Sequence, residues 1–320
     1  MKTSRSVVGM VLSLTLCAFA RGDEPSENSR EPIDLSNAVV VTSAGRTGPE
    51  AKAVTVLVEE LRRRTQLHWP VTHKRPDGDD KRPVIYVVGQ DESEKLGLDR
   101  ELAMADGEII ERPEGFRIRV VPKDRAVWVV GNDPRGVLYG VGRLLLELRM
   151  DRGKAQLPSD LKIATAPKIK LRGHQLGYRP KTNSYDAWDL AQWDQYIRDL
   201  AIFGTNAIEL IPPRSDDDSD SPHFPVPPME ALIGMSRIAD SYGMDVWIWY
   251  PAMDPNYDDP KTVESELKAW HEVLSKIPRL DAVFVPGGDP GHTQPKVLMA
   301  FLEKVTEVLH RSHPDAEMWM

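Results

Sequence analysis

From about residue 166 onward, apolar and polar positions recur in a fixed rhythm. Short apolar segments at Ile169–Gln175, Asn206–Pro212, Asp245–Pro251, Asp281–Gly287 and Ala316–Met320 alternate with longer stretches of helical spacing at Ala187–Phe203, Met229–Tyr242, Thr262–Lys276 and Pro295–Ser312. The apolar segments start at 169, 206, 245, 281 and 316, intervals of 37, 39, 36 and 35 residues. Strands alternating with helices at this period predict βαβ units and a parallel sheet. Runs such as Ala282–Val285 are apolar on both faces, as a strand covered on both sides requires. Four such units and a fifth strand make half of an eight-fold barrel, and a doubly wound open sheet is the rival arrangement. A whole barrel takes about 250 residues. Residues 166–320 supply 155, so the expected barrel is a (β/α)8 type truncated after its fifth strand.

The preceding stretch, 35–165, has a different pattern and is read as a separate small α/β domain. Ala38–Ser43, Val84–Val88 and Ala126–Val130 read as strands. Pro49 opens a helix over Glu50–Gln66 with an apolar stripe at Val54, Leu57, Val58 and Leu61. Gly115–Val121 alternates Phe116, Ile118 and Val120 with Arg117 and Arg119, which predicts one wet face. Next comes Gly131-Asn-Asp-Pro-Arg-Gly136-Val-Leu-Tyr-Gly140, with Asp133 placed as an N-cap and Pro134 at the first helical position, leading into a helix over Val141–Met150. Gly136, Gly140 and Gly142 would let that helix lie close on a sheet. Their spacing is not that of the G-x-G-x-x-G dinucleotide fingerprint, so no cofactor is expected. The fold class is α/β throughout.

Composition changes the picture chiefly at the N-terminus. Lys2 and Arg5 precede the apolar run Val7–Phe19, and Ala18-Phe19-Ala20 has the pattern of a signal-peptidase site. Residues 1–20 are thus an expected export signal cleaved near Ala20, and 21–34 a polar flexible leader. The expected location is periplasmic or secreted. No later run approaches the 18 apolar residues of a membrane span. Cys17, the one cysteine, lies inside that signal, which leaves the mature chain without disulfide, thiolate ligand or thiol nucleophile. Loss of Lys2 and Arg5 takes the net charge from −8 to −10, and an acidic chain without a basic patch does not suit nucleic acid. No H-x-x-x-H or H-E-x-x-H occurs, so no zinc site is expected. Asp216, Asp217, Asp218 and Asp220 lack the spacing of a calcium loop and read as a solvated acidic stretch.

In a parallel (β/α) array the chemistry sits where strands end and loops begin. Arg172 and His174 fall on the first barrel segment, Glu209 and Pro212-Pro213-Arg214 close the second, Trp247, Trp249, Tyr250 and Asp254 follow on the third, and Asp289 and His292 follow the fourth. Aromatic rings offer flat faces to pyranose C–H groups while charged groups hold hydroxyls, so the cluster suits a glycan. Glu209 lies within an apolar strand, where an unpaired charge is costly. It is either a site carboxylate or part of a buried ion pair. One of Trp249 and Tyr250 is expected in the core.

The order of elements over about 35–150 and the G-N-D-P-R-G-V-L-Y-G motif resemble the small domain that precedes the barrel in the β-N-acetylhexosaminidase and α-glucuronidase families of glycoside hydrolases. Leu171-Arg172-Gly173 is similar to the start of the hexosaminidase barrel, which implies a substrate-gripping Arg172. Gly287-Gly288-Asp289 is similar to that family's G-G-D-E, which implies that Asp289 orients the substrate's acetamido group. The motif departs at Pro290, which stands where that family has its proton-donating glutamate. The resemblance therefore implies either a glycosidase using Asp289, to which the reading of the strand ends adds Glu209 as the partner carboxylate, or a non-catalytic, degenerate sugar-binding protein on the same scaffold.

Overall fold

The computed structural model of the protein describes residues 31–96, 112–176, 188–210, 226–287 and 292–320. The expected signal, Pro212–Arg214, the acidic stretch 216–220, and Gly288, Asp289 and Pro290 lie outside these residues.

The first unit is a six-stranded sheet in the order β3-β2-β4-β6-β5-β9. Val39–Val41 (β2), Val71–Thr72 (β3), Val84–Gly89 (β4) and Ala126–Gly131 (β6) run parallel, whereas Phe116–Val121 (β5) and Lys162–Thr165 (β9) close one side antiparallel. Ile33–Asp34 (β1) joins the hairpin of Arg149–Asp151 (β7) and Lys154–Leu157 (β8) in a small separate sheet. Helix α1, Gly48–Thr65, buries Val54, Leu57 and Leu61 as its stripe predicts, and ends on Gln66 in the left-handed region at φ 63°. Residues 90–95 form the short α2.

Helix α3 runs over Pro134–Glu147, starting at the expected cap with Pro134 as its first residue, taking in the glycine motif ahead of Val141 and ending three residues before the expected end. Asp133 caps it by accepting from Gly136 N at 2.7 Å, and its other oxygen accepts from Glu114 N at 2.6 Å. All three of its glycines mark close contacts, but only Gly140 lies on the sheet as expected. A Cβ on Gly136 would meet the Gly115 carbonyl oxygen at 2.3 Å, one on Gly140 the Val129 side chain at 2.8 Å. The wet face expected on β5 is only partly present. Arg119 is half-buried, whereas Arg117 is 2% exposed because its guanidinium reaches Gln90 at the start of α2, which covers that end of the face.

The second unit is a five-stranded parallel sheet of Gly173–Gln175 (β10), Ala207–Leu210 (β11), Asp245–Trp249 (β12), Ala282–Phe284 (β13) and Glu317–Trp319 (β14). Strand order equals chain order. That is the (β/α)-barrel arrangement. A doubly wound sheet would reverse direction partway. Helices α4 (Leu190–Ile202), α5 (Pro228–Ser241), α6 (Pro260–Leu274) and α7 (Pro295–His310) follow β10 to β13 in turn. Asp189 and Gln192 form a capping box that starts α4. The strands are shorter than their apolar segments; the first occupies only the last three residues of Ile169–Gln175.

One apolar cluster runs through both units, because α1 and α3 pack on α5 and α4. A Cβ on Gly142 would meet the Ile202 carbonyl oxygen of α4 at 2.5 Å. Gly142→Ala is therefore expected to cost about 1–3 kcal/mol through enforced separation of the helices, read as a lower urea midpoint. Polar groups cross the same contact. Arg198 of α4, 3% exposed, donates to Glu59 at 2.6 Å and Glu60 at 3.2 Å on α1. Lys52 meets Asp194 at 3.0 Å and lies 4.4 Å above the Tyr242 ring. Burial pushes the Glu60 carboxyl up, but hydrogen bonds from Arg64 and Arg198 outweigh it and hold the group below its ordinary value.

Candidate functional site

Alternation along the strands decides which side chains face the barrel interior. Ile208, Leu210, Val246, Ile248 and Val283 are fully or almost fully buried against the helices. Gln175, Glu209, Trp247, Trp249, Phe284 and Trp319 therefore occupy the inner face. The register aligns them in two rows, Gln175–Glu209–Trp247 and Trp249–Phe284–Trp319. The rings of Trp247 and Trp319 lie 4.7 Å apart.

Glu209 stands one residue before the C-terminal end of β11. One of its oxygens accepts from Gln175 Nε2 at 3.0 Å. Burial raises its carboxyl above the ordinary glutamate value, and the Gln175 hydrogen bond pulls the other way without cancelling that effect. No cation is paired with Glu209 among the described residues, which favours a site carboxylate over a buried ion pair. A group whose folded pKa is raised stabilises the fold below its unfolded pKa, and that stability is lost as pH rises through the folded value. Glu209→Gln is thus expected to melt higher than the parent near pH 7, and the difference should vanish below about pH 4, where both forms are neutral.

Three expected site residues are placed elsewhere. Arg172 lies at the N-terminal end of β10, opposite the rim where chemistry is expected. Its Nε donates to the Gly204 carbonyl at 2.7 Å, Nη1 to that of Ile169 at 2.8 Å, and Nη2 to Glu114 at 2.5 Å. These contacts clamp the two units together at that end of the strand. His174 points outward to the helix layer, where its Nε2 lies 2.7 Å from the Tyr196 hydroxyl and burial lowers its pKa. Tyr250 is fully buried, with its ring 3.9 Å from that of Trp270 on α6. It is the core member of the Trp249–Tyr250 pair, and Trp249 keeps the inner face.

Past β13 the chain turns at Gly287, whose φ of 62° is one that glycine takes without strain. His292 follows, exposed, with φ 52°. Asp289 between them lies outside the described residues. Asp281, at the opposite end of β13, accepts from Val246 N and from Arg279 Nε, both at 2.8 Å.

Sequence reasoning missed Glu114. Its side chain, 11% exposed, accepts from Arg135 Nη1 at 3.1 Å, Asn206 Nδ2 at 3.0 Å and Arg172 Nη2 at 2.5 Å. A cavity of about 1040 Å³ opens beside this network at the N-terminal strand ends, lined also by Asp245, Arg279, Trp247 and Trp319. Arg135 and Arg279 both pair with Asp245 there. These charges satisfy one another, so the network reads as support. The only sequence signal for Glu114 was an acid in the loop before β5, which does not name a partner.

No protein-family model and no curated protein sequence matches the chain. Solved structures do. A GH20 β-N-acetylhexosaminidase from Streptomyces coelicolor A3(2) matches with a TM-score of 0.65 at 14% identity, over 90% of this chain and 62% of that one. A GH20 exo β-N-acetylglucosaminidase from Vibrio harveyi matches with a TM-score of 0.63 at 13% identity, over 91% of this chain and 52% of that one. A GH138 enzyme targeting pectin rhamnogalacturonan II matches with a TM-score of 0.57 at 17% identity, over 87% of this chain and 42% of that one. The chain thus spans less than two thirds of the length of each. At these identities the likeness is one of fold, and the fold is glycoside-hydrolase-like.

Proposed function

We propose that this chain belongs to an exported glycoside hydrolase that acts on a glycan of the β-N-acetylhexosaminide or α-glucuronide class. Glu209 carries the reading. It is a carboxyl group raised by burial, near the C-terminal end of the second barrel strand, on the face that also holds Trp247 and Trp249. A carboxyl that keeps its proton above the ordinary range suits donation to a leaving glycosidic oxygen. Glycosidic cleavage needs a second carboxylate across the scissile bond, and Asp289, which follows β13 in the sequence, is assigned that place. Trp249 supplies a stacking surface and His292 a polar contact at the rim. The organisation that goes with this reading is a signal at 1–20, a leader to 34, a supporting α/β domain over 35–165 and barrel from 166. No helix among the described residues is long and apolar enough to cross a membrane.

The test is a panel of aryl β-N-acetylhexosaminides and aryl α-glucuronides with the exported protein. Turnover that Asp289→Asn abolishes supports the assignment, and turnover unaffected by both Asp289→Asn and Glu209→Gln overturns it. Pro290, next to Asp289 and unable to transfer a proton, favours a second reading: a sugar-binding protein without catalysis. Calorimetric binding of the same sugars with no turnover would establish that one.

A further inference from the structure

The six-stranded unit holds a cleft that the barrel chemistry does not use. Strand β3 lies on one side of β2 and strand β4 on the other, so the chain reverses its direction of travel across the sheet between β2 and β4. In open α/β sheets the carboxyl ends of strands at such a reversal form a natural crevice. Here a cleft of about 400 Å³ lies at that place, between the segments following β2, β4 and β6.

Arg46 sits in its wall with a side chain only 8% exposed. Nη2 donates to Ser43 Oγ at 3.0 Å, and Nη1 lies 3.2 Å from Glu50 Oε1 without hydrogen-bond geometry. Nε and Nη1 have no hydrogen-bond acceptor among the described residues. A buried guanidinium donor without an acceptor is costly, so such a group marks a place for one. Thr47, which makes no side-chain cap to α1, also lines the cleft. Gly89 leaves room for the acid beside it, because a Cβ there would lie 3.1 Å from Glu50 Oε1.

The remaining wall decides the ligand's charge. Glu50, Asp91, Glu92 and Asp133 line the same cleft, Asp133 with both oxygens already taken by backbone N–H groups, and four carboxylates against one guanidinium repel an anion. Hydroxyl groups both accept and donate, so a polyol can accept from Arg46 while donating to those carboxylates. We propose that this cleft binds a neutral sugar residue, held between Arg46 and the acidic lip formed by Glu50, Asp91 and Glu92. The proposal stands apart from any barrel activity. Its volume is ample for one pyranose ring and falls within the range of small-molecule sites.

The experiment titrates the full chain with neutral monosaccharides, including N-acetylglucosamine, galactose, mannose and xylose, with glucuronate and inorganic phosphate as anionic probes. Calorimetry gives affinity, and hydrogen–deuterium exchange with each sugar gives location. The expected result is millimolar binding of at least one neutral sugar, with protection of residues 43–50 and 89–92. Arg46→Gln should weaken it at least tenfold. Asp91→Ala, at an exposed position whose loss the fold tolerates, should weaken it at least threefold. Four results would each overturn the proposal: no neutral sugar bound at tens of millimolar, protection confined to 207–210 and 245–249, tighter binding of phosphate or glucuronate, or affinity unchanged in Asp91→Ala.

Discussion

Glu114→Ala is expected to destabilise the protein by about 3–5 kcal/mol, the cost of removing one partner from a buried ion network. Its carboxylate takes hydrogen bonds from two arginines and an asparagine, and Arg172 and Asn206 belong to the barrel side of the contact. Without it, two partly buried guanidiniums lose their shared counter-charge. The backbone adds to the argument, since Glu114 takes φ 62°, a left-handed conformation that a non-glycine residue adopts at a cost. Burial alone pushes its carboxyl up, yet hydrogen bonds from Asn206, Arg172 and Arg135 outweigh that and hold it below the ordinary value. A depressed folded pKa means stability that is present above the unfolded value, about 4.5, and lost as pH falls through the folded one. Urea unfolding at pH 7 and pH 3 should therefore show a large Ala penalty at neutral pH that shrinks in acid. A penalty under about 1 kcal/mol at pH 7 would mean the network does not hold the units together.

The second large effect concerns chemistry. With any aryl glycoside that the protein turns over, Glu209→Gln is expected to lower kcat by about 10²–10⁴, the usual contribution of a positioned proton donor. Because burial raises the carboxyl, the donor form persists above the ordinary range and is lost as pH rises through the raised value. The parent's kcat/KM should show an alkaline limb there that Glu209→Gln lacks. Trp249→Ala should raise KM more than it lowers kcat, as loss of a stacking surface does. Arg172→Met provides the contrast, because its guanidinium is committed to Glu114 and three carbonyls at the far end of the strand. It should lower stability and leave kcat/KM within a few-fold. A selective kinetic defect in Arg172→Met with unchanged stability would return that residue to the substrate side.

Some errors of sequence reading share one cause. Arg172 and His174 flank Gly173 in a segment whose apolar pattern predicts a strand from 169, yet the paired strand begins only at 173. Position in a run does not fix where pairing starts, and a shift of a few residues moves Arg172 from one end of the barrel to the other. His174 then falls on the outer face by strict alternation, where Tyr196 meets it. Alternation likewise predicts a wet Arg117, but Gln90, 27 residues earlier in the chain at the start of α2, meets it from above that face.

Sequence by itself determined what repeats locally. The period of the apolar segments set the parallel array, Asp133 and Pro134 set the start of α3, and the α1 stripe set its buried face, because each depends on backbone geometry within a few residues. It also singled out Glu209, since a carboxylate inside an apolar run needs a reason to be there. Tertiary structure alone decided which charges meet. Glu114 finds Arg172 58 residues away and Arg135 finds Asp245 110 residues away, and Arg46 is left with donors unfilled in a cleft assembled from three strand ends. These long-range pairings arise where distant segments pack, so no local pattern encodes them.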